Sequence, residues 1–167
     1  MRPVKKTLLL GMGNPILRDD AVGVRLARDV GQEMAGTAGM DVVPECSIGG
    51  LDLIEVVAGY DRLIVIDAIR TNGGKPGALY RFTGLELRDT LHLSNVHDAN
   101  FATALELGRW LGRVKAMAED VHIFAVEVED AETFDEELSS PVAAAYPGLR
   151  AEIVAGVKEL LRETPAQ

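Results

Sequence analysis

The sequence has 167 residues, of which 47% are hydrophobic and 26% are charged, and its formal net charge is −9. This composition is typical of a globular protein, and the length favours a single domain over residues 1–167. No apolar run is long enough to cross a bilayer, so we expect no membrane partner. The negative charge also disfavours nucleic acid and anionic membranes, because both attract clustered Lys and Arg.

The N-terminus and the cysteine content predict a cytoplasmic protein. Residues 1–6 are basic, but the apolar stretch that follows is too brief for the hydrophobic region of a signal peptide. Cys46 is the single cysteine, which excludes an intramolecular disulfide and suits a reducing compartment.

The first predicted elements are a strand over residues 6–12 and a helix over residues 21–34. The apolar run 7–10 ends in a glycine-containing loop, and from Ala21 apolar residues recur every fourth position. Asp19 or Asp20 stands where the helix cap is expected. This order of strand, loop and helix is typical of the start of an α/β domain, whose chemistry lies at the carboxyl end of its strands.

Further strands are predicted at 41–46, 62–67, 78–82 and 121–127, and helices at 50–57, 101–111 and near the C-terminus. Pro44 indicates an edge strand or a strand end. The turn-rich connection before Ala78 is too short for a helical crossover, so the strand that follows should run antiparallel to its predecessor. Pro141 and Pro147 both resemble helix starts.

Three ionisable residues, Asp20, Asp67 and His97, stand where predicted loops meet the carboxyl edge of the sheet. Two carboxylates and an imidazole form an incomplete shell for a divalent transition metal, with positions left for water or substrate. Each residue alone has a plainer explanation, since an Asp can cap a helix or form a turn and a loop His can be solvated. From position alone, Asp19 and His92 have comparable claims.

Other motifs favour less specific interpretations. The loop after the first strand lacks the third glycine of a dinucleotide fingerprint, where Ile16 stands instead. Cys46 has no nearby His in sequence and no nucleophile-elbow pattern, which favours a small buried or loop thiol. The acidic run at 127–130 is predicted to be a solvated strand end.

Three blocks of the sequence resemble the nickel-iron hydrogenase maturation endopeptidases, which remove a C-terminal extension from the hydrogenase large subunit. The first block, residues 11–24, is similar to that family's Gly-x-Gly-Asn, acidic pair and Gly-Val. The second is Leu63-Ile-Val-Ile-Asp-Ala-Ile69. The third is the His97 loop followed by Ala104-Leu-Glu-Leu-Gly108. The resemblance implies a three-layer α/β/α fold with a five-stranded, mostly parallel twisted sheet, one antiparallel strand and helices on both faces.

The resemblance also implies which residues bind metal and take part in catalysis. The family's residues for these roles correspond to Asp20, Asp67 and His97, and not to Asp19 or His92. The metal that the resemblance implies is nickel supplied by the substrate precursor, with zinc or cadmium expected as possible surrogate ions. Where the family often has Asp-Gly-Gly-Thr, this sequence has Glu45-Cys-Ser-Ile48, which keeps a carboxylate but not the glycines. Glu45, Gly13 and Asn14 are therefore the expected substrate-handling residues.

These observations lead to one functional hypothesis and two alternatives. The leading hypothesis is an endopeptidase whose partner is the precursor of a nickel-iron hydrogenase large subunit, cut after nickel insertion. The first alternative is a stand-alone zinc metallopeptidase or amidohydrolase. The second is a non-catalytic docking chaperone for a metalloenzyme subunit.

Overall fold

The computed structural model describes residues 4–46, 51–89 and 96–163, with the backbone alone for 51, 87–89 and 96–102. Within these ranges the strands are β1 (Thr7–Met12), β2 (Met40–Cys46), β3 (Arg62–Ile69), β4 (Leu79–Thr83) and β5 (Val121–Glu127). The helices are α1 (Val22–Glu33), α2 (Leu51–Val57), α3 (Gly84–Asp89), α4 (Val96–Trp110) and α5 (Ser140–Arg162), with one turn of 3-10 helix at Ala118–Asp120.

The strands form one five-stranded sheet in the order β2-β1-β3-β5-β4. β1 pairs in parallel with β2 and β3, and β3 pairs in parallel with β5. β4 lies at one edge and pairs antiparallel with β5. The predicted α/β class with one antiparallel strand is therefore confirmed. β4 does run opposite to β3, as predicted, but its hydrogen-bonded partner is β5.

Two apolar cores cover the two faces of the sheet. Successive side chains of a strand point to opposite faces, and β1 shows this directly. Leu8 and Leu10 join the core that includes residues of α2 and α4, whereas Leu9 joins the core built with α1 and α5. All six residues of β1 and all eight of β3 are buried, as central strands covered on both faces require.

Of the predictions made from prolines, the one at Pro44 is correct and the one at Pro147 is wrong. β2 is an edge strand and contains Pro44, as the sequence indicates. Pro147, however, starts no helix: it lies inside α5, which runs unbroken over 23 residues from Ser140. A proline in that position removes one backbone hydrogen bond, and the buried residues on either side of it in α5 stabilise the helix through packing.

Helix α4 begins at Val96, earlier than predicted, so His97 lies in its first turn and not in a loop before it. Among the described helices, none is long and apolar enough to span a membrane.

Candidate active site at the carboxyl edge of the sheet

The strand order creates a crevice between the carboxyl ends of β1 and β3. From β1 the chain moves outward to the edge strand β2, and then returns to the other side of β1 to form β3. In open α/β sheets, ligands bind at such a reversal of strand order. Asp20 lies in the loop that follows β1, and Asp67 lies near the end of β3. Both predicted carboxylates are therefore attached to the two strands that border this crevice.

Gly23 brings the start of α1 close to the ends of both strands. A Cβ atom at this position would lie 2.5 Å from the Met12 carbonyl oxygen and 2.6 Å from the Ile66 carbonyl oxygen. It would also lie 3.1 Å from the Cα of Asp67. Because only glycine permits this approach, the helix that begins just after Asp20 packs directly against the backbone of Asp67.

The β1–α1 loop folds back on itself around Asp20. The Asp20 carboxylate accepts a hydrogen bond of 2.7 Å from the backbone N–H of Asn14. Gly13 has a φ of 134°, and a Cβ there would lie 2.1 Å from the backbone oxygen of Asp20. Gly13 and Asn14, predicted to handle substrate, thus also shape the loop that holds Asp20. The Asp20 side chain is half-buried and lines an open cleft.

Asp19, the neighbouring acid, is fully buried and has a different set of partners. Its carboxylate accepts hydrogen bonds from the N–H groups of Glu129 and Asp130, at 3.1 and 2.9 Å. It also accepts from the N–H and the hydroxyl of Ser139, at 2.8 and 2.7 Å. The prediction that Asp19 or Asp20 caps α1 is wrong: the N-cap is Ala21, and none of the described side chains caps that end of the helix with a hydrogen bond.

Asp67 is 7% exposed, and its carboxylate accepts a 2.8 Å hydrogen bond from the N–H of Ala68. It follows Leu63 and Val65 in the alternation of β3, and both of those residues belong to the core on the side of α2 and α4. Asp67 therefore points to the face of the sheet on which α4 packs.

His97 is placed only by the backbone of α4, and its side chain lies outside the described residues, as does His92 entirely. Among the side chains that the structure describes, no group of three or more His, Cys, Asp or Glu residues is arranged to hold a metal ion. The convergence of Asp20, Asp67 and His97 on one ion stays a prediction. Their oxygen and nitrogen donors match the chemistry of a divalent transition metal.

The remaining predicted residues lie near the same edge. Glu45 is exposed near the end of β2, and the thiol of Cys46 next to it is buried, as predicted. The Cys46 carbonyl accepts a 3.4 Å hydrogen bond from the N–H of Gly13, which joins the ends of β2 and β1.

The segment of residues 128–139, which was not predicted to contribute to a site, is fastened to the β1–α1 loop. Arg18 pairs with Asp135 at 2.5 Å, and this hydrogen bond raises the pKa of the Arg18 guanidinium. The N–H of Arg18 donates to the carbonyl of Thr133, and the N–H of Asp19 donates to that of Asp130, at 2.8 and 2.9 Å. Together with the buried Asp19 carboxylate, these bonds fix both segments as one unit.

Glu127 contradicts the predicted solvated strand end. Its side chain is 2% exposed, and its carboxylate accepts hydrogen bonds from the N–H and the hydroxyl of Thr71, at 2.8 and 2.9 Å. A Cβ at Gly74 would lie 2.2 Å from the same carboxylate. Glu127 therefore holds the β3–β4 loop against the end of β5. The position of Glu127 at the end of an apolar strand could have indicated its burial. The sequence does not show, however, that Thr71 donates hydrogen bonds to it.

The cleft beside Asp20 has a volume of about 710 Å³. The last residues of β3, Ala68 and Ile69, line it together with the β3–β4 loop and the segment 128–139. Its other lining residues are Leu17, Asp20, Arg70, Thr71, Asn72, Val128, Ala131, Glu132 and Phe134. Arg70, Thr71, Asn72 and Phe134 were not predicted to belong to a site, since the loop residues 70–72 meet the distant Phe134 only in the folded chain.

Comparisons with known proteins agree with this architecture. The family model described as HycI, hydrogenase maturation protease, matches residues 24–156. The chain is 31% identical over 74 residues to the Hydrogenase 2 maturation protease of Escherichia coli K12, and this alignment covers 44% of each protein. The chain thus aligns with less than half the length of that relative.

Two solved structures share the fold over most of both chains. Hydrogenase maturating endopeptidase HybD from E. coli has a TM-score of 0.74 and 23% identity, over 92% of this chain and 93% of that one. The [NiFe] hydrogenase maturation protease HybD from Thermococcus kodakarensis has a TM-score of 0.71 and 24% identity, over 94% and 99%.

Proposed function

Because the chain belongs to the hydrogenase maturation protease family, we propose that it is an endopeptidase that removes the C-terminal extension of a nickel-iron hydrogenase large-subunit precursor. Its relatives are named as a hydrogenase maturation protease and a hydrogenase maturating endopeptidase, and the chain shares the fold of the latter. The proposed trigger for cutting is nickel that the precursor already carries.

The observation that carries the proposal is the position of Asp20 and Asp67 at the crevice between β1 and β3. Asp20 follows β1, Asp67 lies near the end of the adjacent parallel strand β3, and Gly23 packs the start of α1 directly on the backbone of Asp67. Asp20 remains partly accessible from the cleft, whereas the buried Asp19 is fully engaged by backbone and Ser139 donors. Asp20 is thus the member of the acidic pair that is open to a substrate.

The course of α4 supports assigning His97 to the same site. The C-terminal end of α4 is joined to the chain that enters β5, since the N–H groups of Arg113 and Val114 donate to the carbonyl of Gly108. β5 begins at the amino edge of the sheet, and a 15-residue helix is about 22 Å long. The first turn of α4, with His97, is therefore expected towards the carboxyl edge, on the face to which Asp67 points.

In this proposal the three side chains complete the coordination shell of the substrate's nickel. Two carboxylate groups and an imidazole have little affinity for an apolar or uncharged peptide, so a precursor without the ion would bind weakly. Cutting would then depend on correct loading of the hydrogenase. The enzyme itself needs no resident metal for this selection.

The test is to incubate the protein with the large-subunit precursor in nickel-loaded and nickel-free forms and to detect the released C-terminal fragment by mass spectrometry. We expect the wild type to cut the loaded form alone. His97→Ala and Asp20→Asn should lose cutting but keep their fold, which circular dichroism measures. A His97→Ala protein that processes the precursor at the wild-type rate would refute the assignment.

The same experiment separates the two alternatives. A stand-alone zinc peptidase would hold zinc after purification without chelator and would cut short peptides. A docking chaperone would bind the loaded precursor tightly and release no fragment at any enzyme concentration.

A further inference from the structure

Phe134 is a large aromatic side chain that is 76% exposed on a backbone fixed from both sides. Phe134 and Leu17 form an antiparallel β-bridge. The Thr133 carbonyl accepts a 2.8 Å hydrogen bond from Arg18, and the N–H of Asp135 donates to Ile16 at 3.3 Å. The backbone that carries the exposed Phe134 side chain is therefore held in place by its contacts with the β1–α1 loop.

Phe134 also contributes to a cleft that is lined by both apolar and polar residues. Leu17, Val128 and Ala131 are apolar like Phe134, and the polar lining residues are Asp20, Arg70, Thr71, Asn72 and Glu132. A cleft of this kind suits an extended polypeptide, whose side chains alternate in direction and whose backbone needs polar partners. Aromatic residues are also enriched where proteins bind one another.

The cleft is continuous with the candidate site, because Asp20 lines it. A polypeptide held in the cleft would therefore place its neighbouring residues at the crevice between β1 and β3. We propose that Phe134 is a specificity-determining residue that binds an apolar side chain of the substrate polypeptide, close to the bond that is cut. This inference rests on the proposed function and adds a preference for an apolar residue in the substrate.

The test compares Phe134→Ser with Trp110→Ser, a matched change at an aromatic residue that is 82% exposed on α4 and does not line the cleft. The substrate is the nickel-loaded precursor, and kcat and KM are measured separately. We expect Phe134→Ser to raise KM about tenfold or more with kcat nearly unchanged, because it removes apolar contact made equally in the ground and transition states. Phe134→Leu should restore most of the affinity.

Thermal unfolding midpoints should be equal in the wild type and both serine variants, since neither aromatic side chain is buried. A KM for Phe134→Ser within twofold of the wild type, or an equal rise in Trp110→Ser, would overturn the inference while the proposed function stands. A wild-type protein that leaves the loaded precursor uncut would instead overturn the proposed function. A wild-type dimer in sedimentation that Phe134→Ser dissociates would assign this surface to self-association and also contradict the inference.

Discussion

The carboxylate of Asp19 accepts hydrogen bonds from both the N–H and the hydroxyl of Ser139, a residue 120 positions later in the chain. This contact closes the loop after β1 onto the start of α5. The neighbouring Asp20 makes a local bond to Asn14 and lines the cleft. Two adjacent and chemically identical residues therefore have separate tasks: Asp19 fixes the loop, and Asp20 is presented to a ligand.

This difference predicts losses of stability of different size for the same substitution at adjacent positions. Asp19→Asn should lower the free energy of unfolding by roughly 2–4 kcal/mol, because an amide NH2 would face donors that the carboxylate accepted. Asp20→Asn should lower it by less than about 1 kcal/mol, since it affects one partly exposed hydrogen bond. Urea denaturation measures both values, and equal losses in the two variants would contradict the division of roles.

Gly23→Ala should destabilise the protein by roughly 1–3 kcal/mol, since the added methyl group meets backbone atoms that cannot rotate away. The first contacts are the carbonyl oxygens of Met12 and Ile66, at 2.5 and 2.6 Å. The control is Gly148→Ala in α5, where, apart from the neighbouring part of the helix itself, no atom of the described residues lies within 4 Å of the added Cβ. That variant should gain about 0.5–1 kcal/mol from helix propensity. Thermal unfolding shows whether each variant is more or less stable than the wild type. A stabilised Gly23→Ala protein would refute the close packing.

Glu127→Ala should lower the free energy of unfolding by roughly 2–3 kcal/mol, because it leaves the N–H and hydroxyl of Thr71 without their acceptor. Glu127→Gln keeps one oxygen acceptor and should lose less. Glu129→Ala, an exposed carboxylate two residues on, should change stability by less than about 0.5 kcal/mol. Denaturant titrations of the three proteins test this order, which fails if Glu127 and Glu129 are equally tolerant of alanine.

Acid should weaken the segment 128–139 over a defined range of pH. Hydrogen bonds from the Thr133 hydroxyl and from the N–H groups of Thr133 and Glu132 lower the pKa of Asp130 from 3.8 to about 2. A carboxyl group whose pKa is lower in the folded state stabilises that state above its ordinary pKa, and this contribution is lost as the pH falls towards 2.

The wild type should therefore lose stability between about pH 4 and pH 2 more steeply than Asp130→Asn, which has no carboxylate to protonate at this position. Equilibrium unfolding at several pH values measures the two slopes. Identical slopes would show that the Asp130 hydrogen bonds contribute nothing in this range.

Local sequence patterns predicted much of the fold because the elements that they mark are buried or interrupted in characteristic ways. β5 runs over Val121–Glu127, as predicted, and β1 and β3 are the central strands that continuous apolar runs require. Pro44 marked an edge strand correctly. Pro147 misled, because packing along the 23 residues of α5 outweighs the hydrogen bond that a proline removes.

By itself, the sequence determined the α/β class, the family and the acidic residues at the carboxyl edge. These depend on local features of the chain, namely short-range periodicity and the positions of glycines and carboxylates. The tertiary structure alone decided which of Asp19 and Asp20 is buried, that Glu127 is held by Thr71, and that Phe134 and Asp20 line one cleft. Each of these outcomes depends on residues from 56 to more than 100 positions apart, and such distant partners leave no periodic signal in a single sequence.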